Sequence, residues 1–363
     1  MLTKGDDFPL HQTPEPVAYA GTDRNFYDRY FFNGYAPDGS GFFAVAFGVY
    51  PHLNVADAHF AVIRNGVEYC LHASRELHME RLDLTVGPIA IEVVEPLQRL
   101  TVRVAGEGIA AELHFTGRAF PIEEPRFTHR IGPRTYMDYT RLTQNGFYSG
   151  WIEVDGVREV LHPATVGTRD RSWGVRPVGA ADAQPHGHGV VQGFFWQWTP
   201  INLPTRSVFF HLNAHRDGSP WNTRAVIAPD RGGHADFFET PSARLTAPLL
   251  PGTRWPAQGT LTIGTDDGPL TLEIEPLARF QMRGLGYVTQ KWNHGLYHGP
   301  LVVEREDLAL DALPAMAPTM ENLHVQIVSR VTTSAGEVGT GVFEQLIIGA
   351  YDPLGLKDYF DHG

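Results

Sequence analysis

The chain has 363 residues, 42% of them apolar, and its 41 acidic against 29 basic residues give a net charge of −12. This length exceeds the usual size of one hydrophobic core, so two domains are expected. The acidic balance argues against nucleic-acid partners, and no apolar run approaches the roughly 18 residues of a membrane span.

Cys70 is the single cysteine, so no internal disulfide is expected, and the N-terminal residues lack an apolar signal segment. Both observations predict a cytoplasmic location. The chain has no Walker loop and no G-x-S-x-G, and Gly284-Leu285-Gly286 lacks the helix that dinucleotide binding requires. No cofactor is therefore expected, and the oligomeric state stays open, a homodimer included.

Glycine and proline, with 38 and 27 residues, interrupt the chain too often for long helices. Short alternating or β-branched runs predict strands instead. In the first half these runs are Phe42–Tyr50, Ala58–Arg64, Ile89–Glu95, Leu100–Val104, Ala110–Phe115 and Ile152–Val160. In the second half they are Ser207–Leu212, Arg224–Ile227, Gly259–Ile263, Leu270–Ile274, His324–Val331 and Gly341–Ile348. The prediction is an all-β, mostly antiparallel fold with short helices only at Asp307–Leu313 and Gly355–Asp361.

Two halves of the chain resemble each other at an offset of 178 to 180 residues. The matching pairs are Glu95–Leu100 with Glu275–Phe280, Phe31-Phe32 with Phe209-Phe210, and Asp38-Gly39-Ser40 with Asp217-Gly218-Ser219. A fixed offset indicates repeated structural units. We expect two β-barrel domains, residues 1–180 and 190–363, joined by a linker at Gly179–Gly189, since closure removes exposed strand edges. A barrel of about eight strands can hold one small ligand.

The most unusual residues lie in Gly150–Gly156, which ends in the turn pair Asp155-Gly156, and in the segment Arg169-Asp170-Arg171-Ser172-Trp173-Gly174. Side chains alternate along a strand, so Asp170 and Ser172 should face away from Arg169, Arg171 and Trp173. Asp170 therefore need not pair with its arginine neighbours.

These two segments together resemble the G-x-(I/L)-x-(V/L)-D-G and D-H-x-W-G signature of the AttH-like, carotenoid 1,2-hydratase-like superfamily. The likeness continues at Trp196-x-Trp198, Gly286-Tyr287, Trp292-Asn293-His294-Gly295 and Gly339-x-Gly341-x-x-Glu344. The resemblance implies two tandem lipocalin-like barrels and an activity on apolar molecules, because members hydrate the terminal double bond of carotenoids or close polyenes into rings. Here Arg171 replaces the family's histidine, and Thr168-Arg169-Asp170 replaces the hydratases' Tyr-x-Asp.

Asp170 is the first candidate for catalysis. If it faces an apolar interior, desolvation raises its pKa and keeps it protonated enough to protonate an alkene. Glu344, in an apolar strand, is the second candidate carboxyl, and His294 is a candidate base for water. The alternative for Asp170 is a structural one, in which it bonds backbone amides or an arginine of another strand.

Aromatic and histidine side chains are the candidate substrate contacts, since π faces stabilise a carbocation. They are Tyr148, Trp151, Trp173, Trp196, Trp198, His211, Tyr287 and Trp292. Trp196 and Trp198 should share one strand face, which also fits core packing, and a satisfied core histidine explains His211 equally well. His186-Gly187-His188 lacks a third nearby ligand and is interpreted as a solvated loop, so no metal site is expected.

The sequence thus favours a cofactor-independent enzyme that hydrates, dehydrates or isomerises an apolar terpenoid, polyene or polyketide-like substrate, starting with Asp170. The alternatives are a carrier that binds a lipophile without changing it, a pericyclase-type cyclisation, and a β-sandwich that binds carbohydrate on exposed tryptophans.

Overall fold

A computed structural model of the chain describes residues 2–9, 23–80, 82–182, 193–312, 320–359 and 361–362. Most of the predicted linker, with His186 and His188, lies outside these residues.

Within the described part of the chain, 14 strands form a first antiparallel sheet. They are β1 Phe26–Tyr35, β2 Phe43–Tyr50, β3 Val55–Arg64, β4 Val67–Glu76, β5 Thr85–Val86, β6 Ile89–Glu95, β7 Arg99–Gly106, β8 Ile109–Gly117, β9 Ile122–Glu123, β10 Phe127–Ile131, β11 Arg134–Val154, β12 Val157–Val160, β13 Val166–Val175 and β21 Leu301–Ala309. The main path runs β21-β4-β3-β2-β1-β13-β11-β8-β7-β6-β5, and β9, β10 and β12 pair with β11.

Nine further strands of the described residues form a second antiparallel sheet in the order β17-β16-β15-β14-β23-β22-β20-β19-β18. They are β14 Phe194–Asn202, β15 Arg206–Ala214, β16 Pro220–Pro229, β17 Phe238–Thr240, β18 Ala243–Thr246, β19 Gly259–Thr265, β20 Gly268–Gln281, β22 Val325–Thr333 and β23 Val338–Ile348. The short helical segments are α1 Met320–Leu323 and the 3₁₀ turns Lys4–Asp7, Pro51–Leu53, His234–Asp236, Met282–Leu285, Leu310–Ala312 and Asp352–Leu354.

The predicted all-β antiparallel fold class is confirmed, but both predicted helices are wrong. Asp307 lies inside β21, which pairs with β4, and Leu310–Ala312 form a 3₁₀ turn, while Leu313 lies outside the described residues. Pairing with the edge of a sheet satisfies more of the backbone N–H and C=O groups of this segment than one short helical turn would. Within the described residues, Gly355–Asp361 contains no helix and follows the 3₁₀ turn at Asp352–Leu354.

The domain boundaries at residues 1–180 and 190–363 stay a prediction. Strands β1 to β13 share the first sheet and most later strands share the second, while β21 joins the first sheet from the second half of the chain.

The internal repeat includes a turn with the same hydrogen bonds in both halves. The Asp38 carboxylate accepts bonds from the Ser40 backbone N–H at 2.9 Å and from its hydroxyl at 2.6 Å. Asp217 accepts the same two bonds from Ser219 at the same distances. The Glu95 and Glu275 segments differ, because the first is the turn between β6 and β7 and the second is a bulge inside β20.

Each sheet surrounds an apolar core, and a third core lies between the sheets. Along β1, Tyr30 and Phe32 face the core of the first sheet, whereas Phe31 and Tyr35 face the second sheet. The second sheet has its own core, which includes Phe210 and Phe343. β1 and β2 are buried on both faces, and β2 is accordingly apolar at nearly every position, whereas β1 also carries the buried polar residues Asp28, Arg29 and Asn33.

Among the described residues, no helix has the length and apolar character needed to cross a membrane.

Candidate active site between the two sheets

A cavity of about 850 Å³ lies where β1, β11 and β13 of the first sheet face β14 and β23 of the second. Arg24, Asp182 and Tyr359 belong to its lining and are partly exposed, so the cavity reaches the protein surface on that side. Its volume suits a small organic ligand.

Successive side chains of the Arg169–Gly174 segment point to opposite faces of the strand, as predicted. Asp170 and Ser172 line the cavity. Arg169 and Arg171 point to the opposite face, into the first sheet, where Arg169 pairs with Asp7 and Arg171 pairs with Asp28 at 2.5 Å. The two arginines therefore form ion pairs inside the first sheet, and the Asp170 side chain points into the cavity between the sheets.

Asp170 is 9% exposed, and its carboxyl group accepts no hydrogen bond from any residue that the structure describes. Burial, the strongest influence, raises its pKa to about 6, and the negative charges of Glu124 and Glu344 act in the same direction. The cations Arg141 and Arg29 oppose this rise only in part. Asp170 is thus a buried acid that titrates near neutral pH, as a general acid should.

Glu344 is the other predicted carboxyl, and it lines the same cavity. It accepts hydrogen bonds from His324 Nε2 at 2.7 Å, Trp196 Nε1 at 2.9 Å and Gln326 Nε2 at 2.8 Å. Burial opposes its charge, but the charge and hydrogen bond of His324, the hydrogen bond from Gln326 and the charge of Arg141 together outweigh burial and lower the pKa of Glu344. One cavity therefore holds a carboxyl group, Asp170, whose pKa is raised to about 6 and a carboxylate, Glu344, that stays ionised.

His294 lines the cavity as well, and it is neutral because burial, together with Arg29 and Arg176, lowers its pKa well below the usual value. Its Nε2 lies 2.9 Å from the Leu285 carbonyl oxygen, which can only accept, and 2.8 Å from Arg29 Nη2, which can only donate. Because Nδ1 faces the arginine donors, the tautomer that carries the ring proton on Nε2 and donates it to Leu285 uses both ring nitrogens. Its Nδ1 then accepts from Arg29 at 3.0 Å and from Arg176 at 3.3 Å. With this lone pair taken, the environment disfavours His294 as a base for water.

Aromatic rings form much of the remaining wall. Arg141 lies 4.6 Å from the Trp196 ring centroid, and Arg29 lies 4.6 Å from the Tyr287 ring centroid. Tyr27 and Tyr139 meet edge to face, with ring centroids 6.0 Å apart. These rings and the neighbouring aliphatic side chains of β23 suit an apolar ligand.

Two of the eight predicted substrate contacts, Trp196 and Tyr287, line the cavity, and the other six lie elsewhere. Trp198 shares the face of Trp196, as predicted, but donates to Glu124 at 3.2 Å behind the cavity wall. His211 stacks beside Trp196 and bonds Asn222 at 3.3 Å.

The remaining four are farther away. Tyr148 is buried in the first-sheet core, and Trp151 lies under Arg158. Trp173 is half-buried on the strand face opposite Asp170, and Trp292 stacks on His72 with ring centroids 5.1 Å apart.

Several cavity residues were not predicted from the sequence, above all Arg29, Arg141 and Arg176. Arg29 had a detectable signal, because a charged pair, Asp28-Arg29, interrupts the aromatic run of β1. Arg141 also had one, since it is a basic residue in a strand with few charges near its middle. Arg176 follows the Arg169–Gly174 segment directly.

One family model, described as a family of unknown function (DUF8625), matches residues 2–357 of the chain. A search of the curated proteins finds no match.

Three solved structures resemble the chain at low sequence identity. An AttH protein from Nitrosomonas europaea (NE1406) is 15% identical with a TM-score of 0.53, covering 90% of this chain and 94% of that one. CghA is 12% identical with a TM-score of 0.51, covering 96% and 94% of the two chains. Kievitone hydratase from Nectria haematococca reaches a TM-score of 0.45 at 12% identity, covering 93% and 95%. The first two confirm the AttH-like fold, and at these identities they bear on the fold alone.

Proposed function

The chain belongs to the DUF8625 family, whose function is unknown, and from its cavity we propose that it is an enzyme that binds an apolar small molecule between its sheets and protonates it with Asp170.

One observation carries the proposal: a buried carboxyl group without a hydrogen-bond partner among the described residues faces an aromatic cavity, and burial raises its pKa to about 6. A carboxyl kept only for structure is normally paired or hydrogen-bonded. Asp170 is instead left free to donate a proton to a bound molecule.

The reaction starts when the O–H bond of Asp170 breaks and its proton forms a C–H bond with one carbon of a substrate double bond. The other carbon becomes a cation. If water adds there and loses a proton to the Asp170 carboxylate, the net result is hydration, and the reverse sequence is dehydration. If a neighbouring C–H gives its proton to the carboxylate instead, the double bond has moved, and the net result is isomerisation.

Other groups of the cavity suit the cationic intermediate. Glu344, which stays ionised, supplies a fixed negative charge, and the π faces of Trp196 and Tyr287 attract a cation. No cofactor enters these steps.

The second candidate function is a carrier that holds the same ligand without changing it, and the size of the cavity favours this alternative equally. The test ligand is found by purifying the protein from its native host and identifying the small molecules that purify with it by mass spectrometry. Conversion of that compound supports the enzyme, and binding without conversion supports the carrier.

The proposal predicts a dependence on pH. Only protonated Asp170 acts as the acid, and with a pKa of about 6 its protonated fraction is large below that pH and falls about tenfold per pH unit above it. We expect kcat/KM to be flat below about pH 6 and to fall as pH rises further. A kcat/KM that rises with pH through this range contradicts an acid role for Asp170.

Turnover in D₂O separates protonation from a pericyclic cyclisation. Because the carboxyl proton exchanges with solvent, hydration or isomerisation should place solvent deuterium on the carbon that receives the proton. Mass spectrometry and NMR of the product measure this label. A product without deuterium on carbon would point to cyclisation without proton transfer.

A further inference from the structure

Two arginines of the cavity, the buried Arg29 and the half-buried Arg176, have no carboxylate partner among the described residues. Arg29 is 2% exposed, and the guanidinium groups of Arg29 and Arg176 form no ion pair within the described residues. The Nε atom of each is buried without a hydrogen-bond acceptor. Their shared partner is the neutral ring of His294, which offers them one lone pair on Nδ1. Arg29 Nη2 also lies 2.8 Å from His294 Nε2, but that nitrogen donates its proton to the Leu285 carbonyl and has no lone pair to offer.

Among the cavity arginines that the structure describes, the lack of a carboxylate partner is a feature of Arg29 and Arg176 that Arg141 does not share. Arg141, on the same sheet, bonds Glu124 through two nitrogens at 2.6 and 2.9 Å. Glu344 is occupied by His324, Gln326 and Trp196. Each guanidinium carries several N–H donors, and these carboxylates are engaged elsewhere. Arg29 and Arg176 therefore have more donors than hydrogen-bond acceptors within reach in the described part of the chain.

Asp182, a third carboxylate of the cavity lining, pairs with Arg24 and Arg134. This leaves Asp170, which is uncharged when it acts as an acid. In that state the cavity holds the positive charges of Arg29 and Arg176 without a paired countercharge, which is costly at low dielectric. An anionic ligand group supplies both the charge and the missing acceptors, because a carboxylate accepts paired bonds from a guanidinium fork.

We propose that Arg29 and Arg176 bind a carboxylate or similar acidic oxygen group of the substrate, so that the enzyme acts on an apolar molecule with an anionic head. This inference rests on the proposed function, which places the apolar part of the substrate in the cavity between the sheets. The anion anchors one end of the substrate and so positions a double bond along the aromatic wall towards Asp170. Its charge also opposes ionisation of Asp170 and helps that group to keep its proton.

The test compares cis-parinaric acid, a fluorescent polyene carboxylate, with its methyl ester in fluorescence titrations of the wild-type protein. We expect the acid to bind at least about tenfold more tightly than the ester, since charge-assisted bonds to a guanidinium exceed neutral ones. Arg29→Gln and Arg176→Gln should bring the ratio of the two dissociation constants towards one. Arg29→Lys keeps the positive charge but lacks the two parallel N–H donors of a guanidinium group, so it should retain part of the preference for the acid over the ester.

Arg158→Gln is the matched control, because Arg158 is an exposed arginine that pairs with Glu153 outside the cavity. It should leave the ratio unchanged. Equal binding of acid and ester by the wild-type protein overturns the anion site while leaving Asp170 catalysis untouched, and this comparison needs no variant to fold. Binding of neither ligand contradicts the apolar cavity of the proposed function and the anion site with it.

Discussion

Asp170→Asn should lower kcat/KM for the recovered substrate by about 10²- to 10⁴-fold, the usual contribution of a general acid. Asparagine keeps the size of the side chain and has no proton of suitable acidity to give. The same variant should be more stable than the wild type at pH 8, because burial disfavours the charge of Asp170, whose pKa rises from 3.8 to about 6.

The sign of that stability change follows from linkage. A carboxyl whose pKa is higher in the folded state favours folding when protonated, and this advantage is lost as pH rises from the unfolded value towards about 6. Above that pH the wild type must bury a charge, and the variant avoids it. Urea unfolding at pH 8 and at pH 4 measures the difference, which should shrink at the lower pH.

Asp155→Asn is the matched control, since Asp155 lies in the exposed hairpin turn and pairs with Arg305. It should keep full activity. If Asp170→Asn loses stability and Asp155→Asn does not, then Asp170 is a structural carboxylate. If Asp170→Asn keeps full activity, the acid lies elsewhere.

Asp7→Ala should have the largest effect on stability. Arg169 and Asp7 are both fully buried, and Asp7 also accepts the backbone N–H of Leu97. Removing the carboxylate leaves the Arg169 charge in the first-sheet interior with Gln144 as its remaining partner among the described residues. We expect a loss of about 3–5 kcal/mol in the free energy of unfolding, the usual result of breaking one side of a buried ion pair.

The control is Asp352→Ala, which breaks the exposed pair between Arg216 and Asp352. Exposed pairs contribute about 0–1 kcal/mol, so its unfolding midpoint in urea should stay close to that of the wild type. Equal midpoints for both variants would mean that the N-terminal 3₁₀ turn does not stabilise the first sheet through Asp7.

Local patterns in the sequence were enough to predict the fold class. Alternating runs and Asx-Gly pairs depend on nearest neighbours, and every predicted run overlaps an observed strand. Phe42 and His324 lie just outside β2 and β22, and the predicted run Ile152–Val160 is divided between β11 and β12 by the turn at Asp155-Gly156. The same local rule placed Asp170 and the arginines beside it on opposite strand faces. Helix predictions failed at Asp307–Leu313, where pairing with β4 decided the outcome.

The membership of the site depended on contacts between residues far apart in the chain. Arg29 meets His294 across 265 positions, and Trp196 meets Glu344 across 148. The sequence alone nominated Asp170, Glu344 and His294 singly, and only the packing of the two sheets brought them to one cavity. It also decided that Tyr148 and Trp292 lie elsewhere.

The sequence by itself thus determined strand alternation, the hairpins and the direction of Asp170, because these follow from the geometry of neighbouring residues. The tertiary structure decided that Asp170 faces a cavity between the sheets, that burial raises its pKa, and that two arginines there have no carboxylate partner among the described residues. Desolvation and charge pairing depend on everything that surrounds a group in space, and strand periodicity does not contain that information.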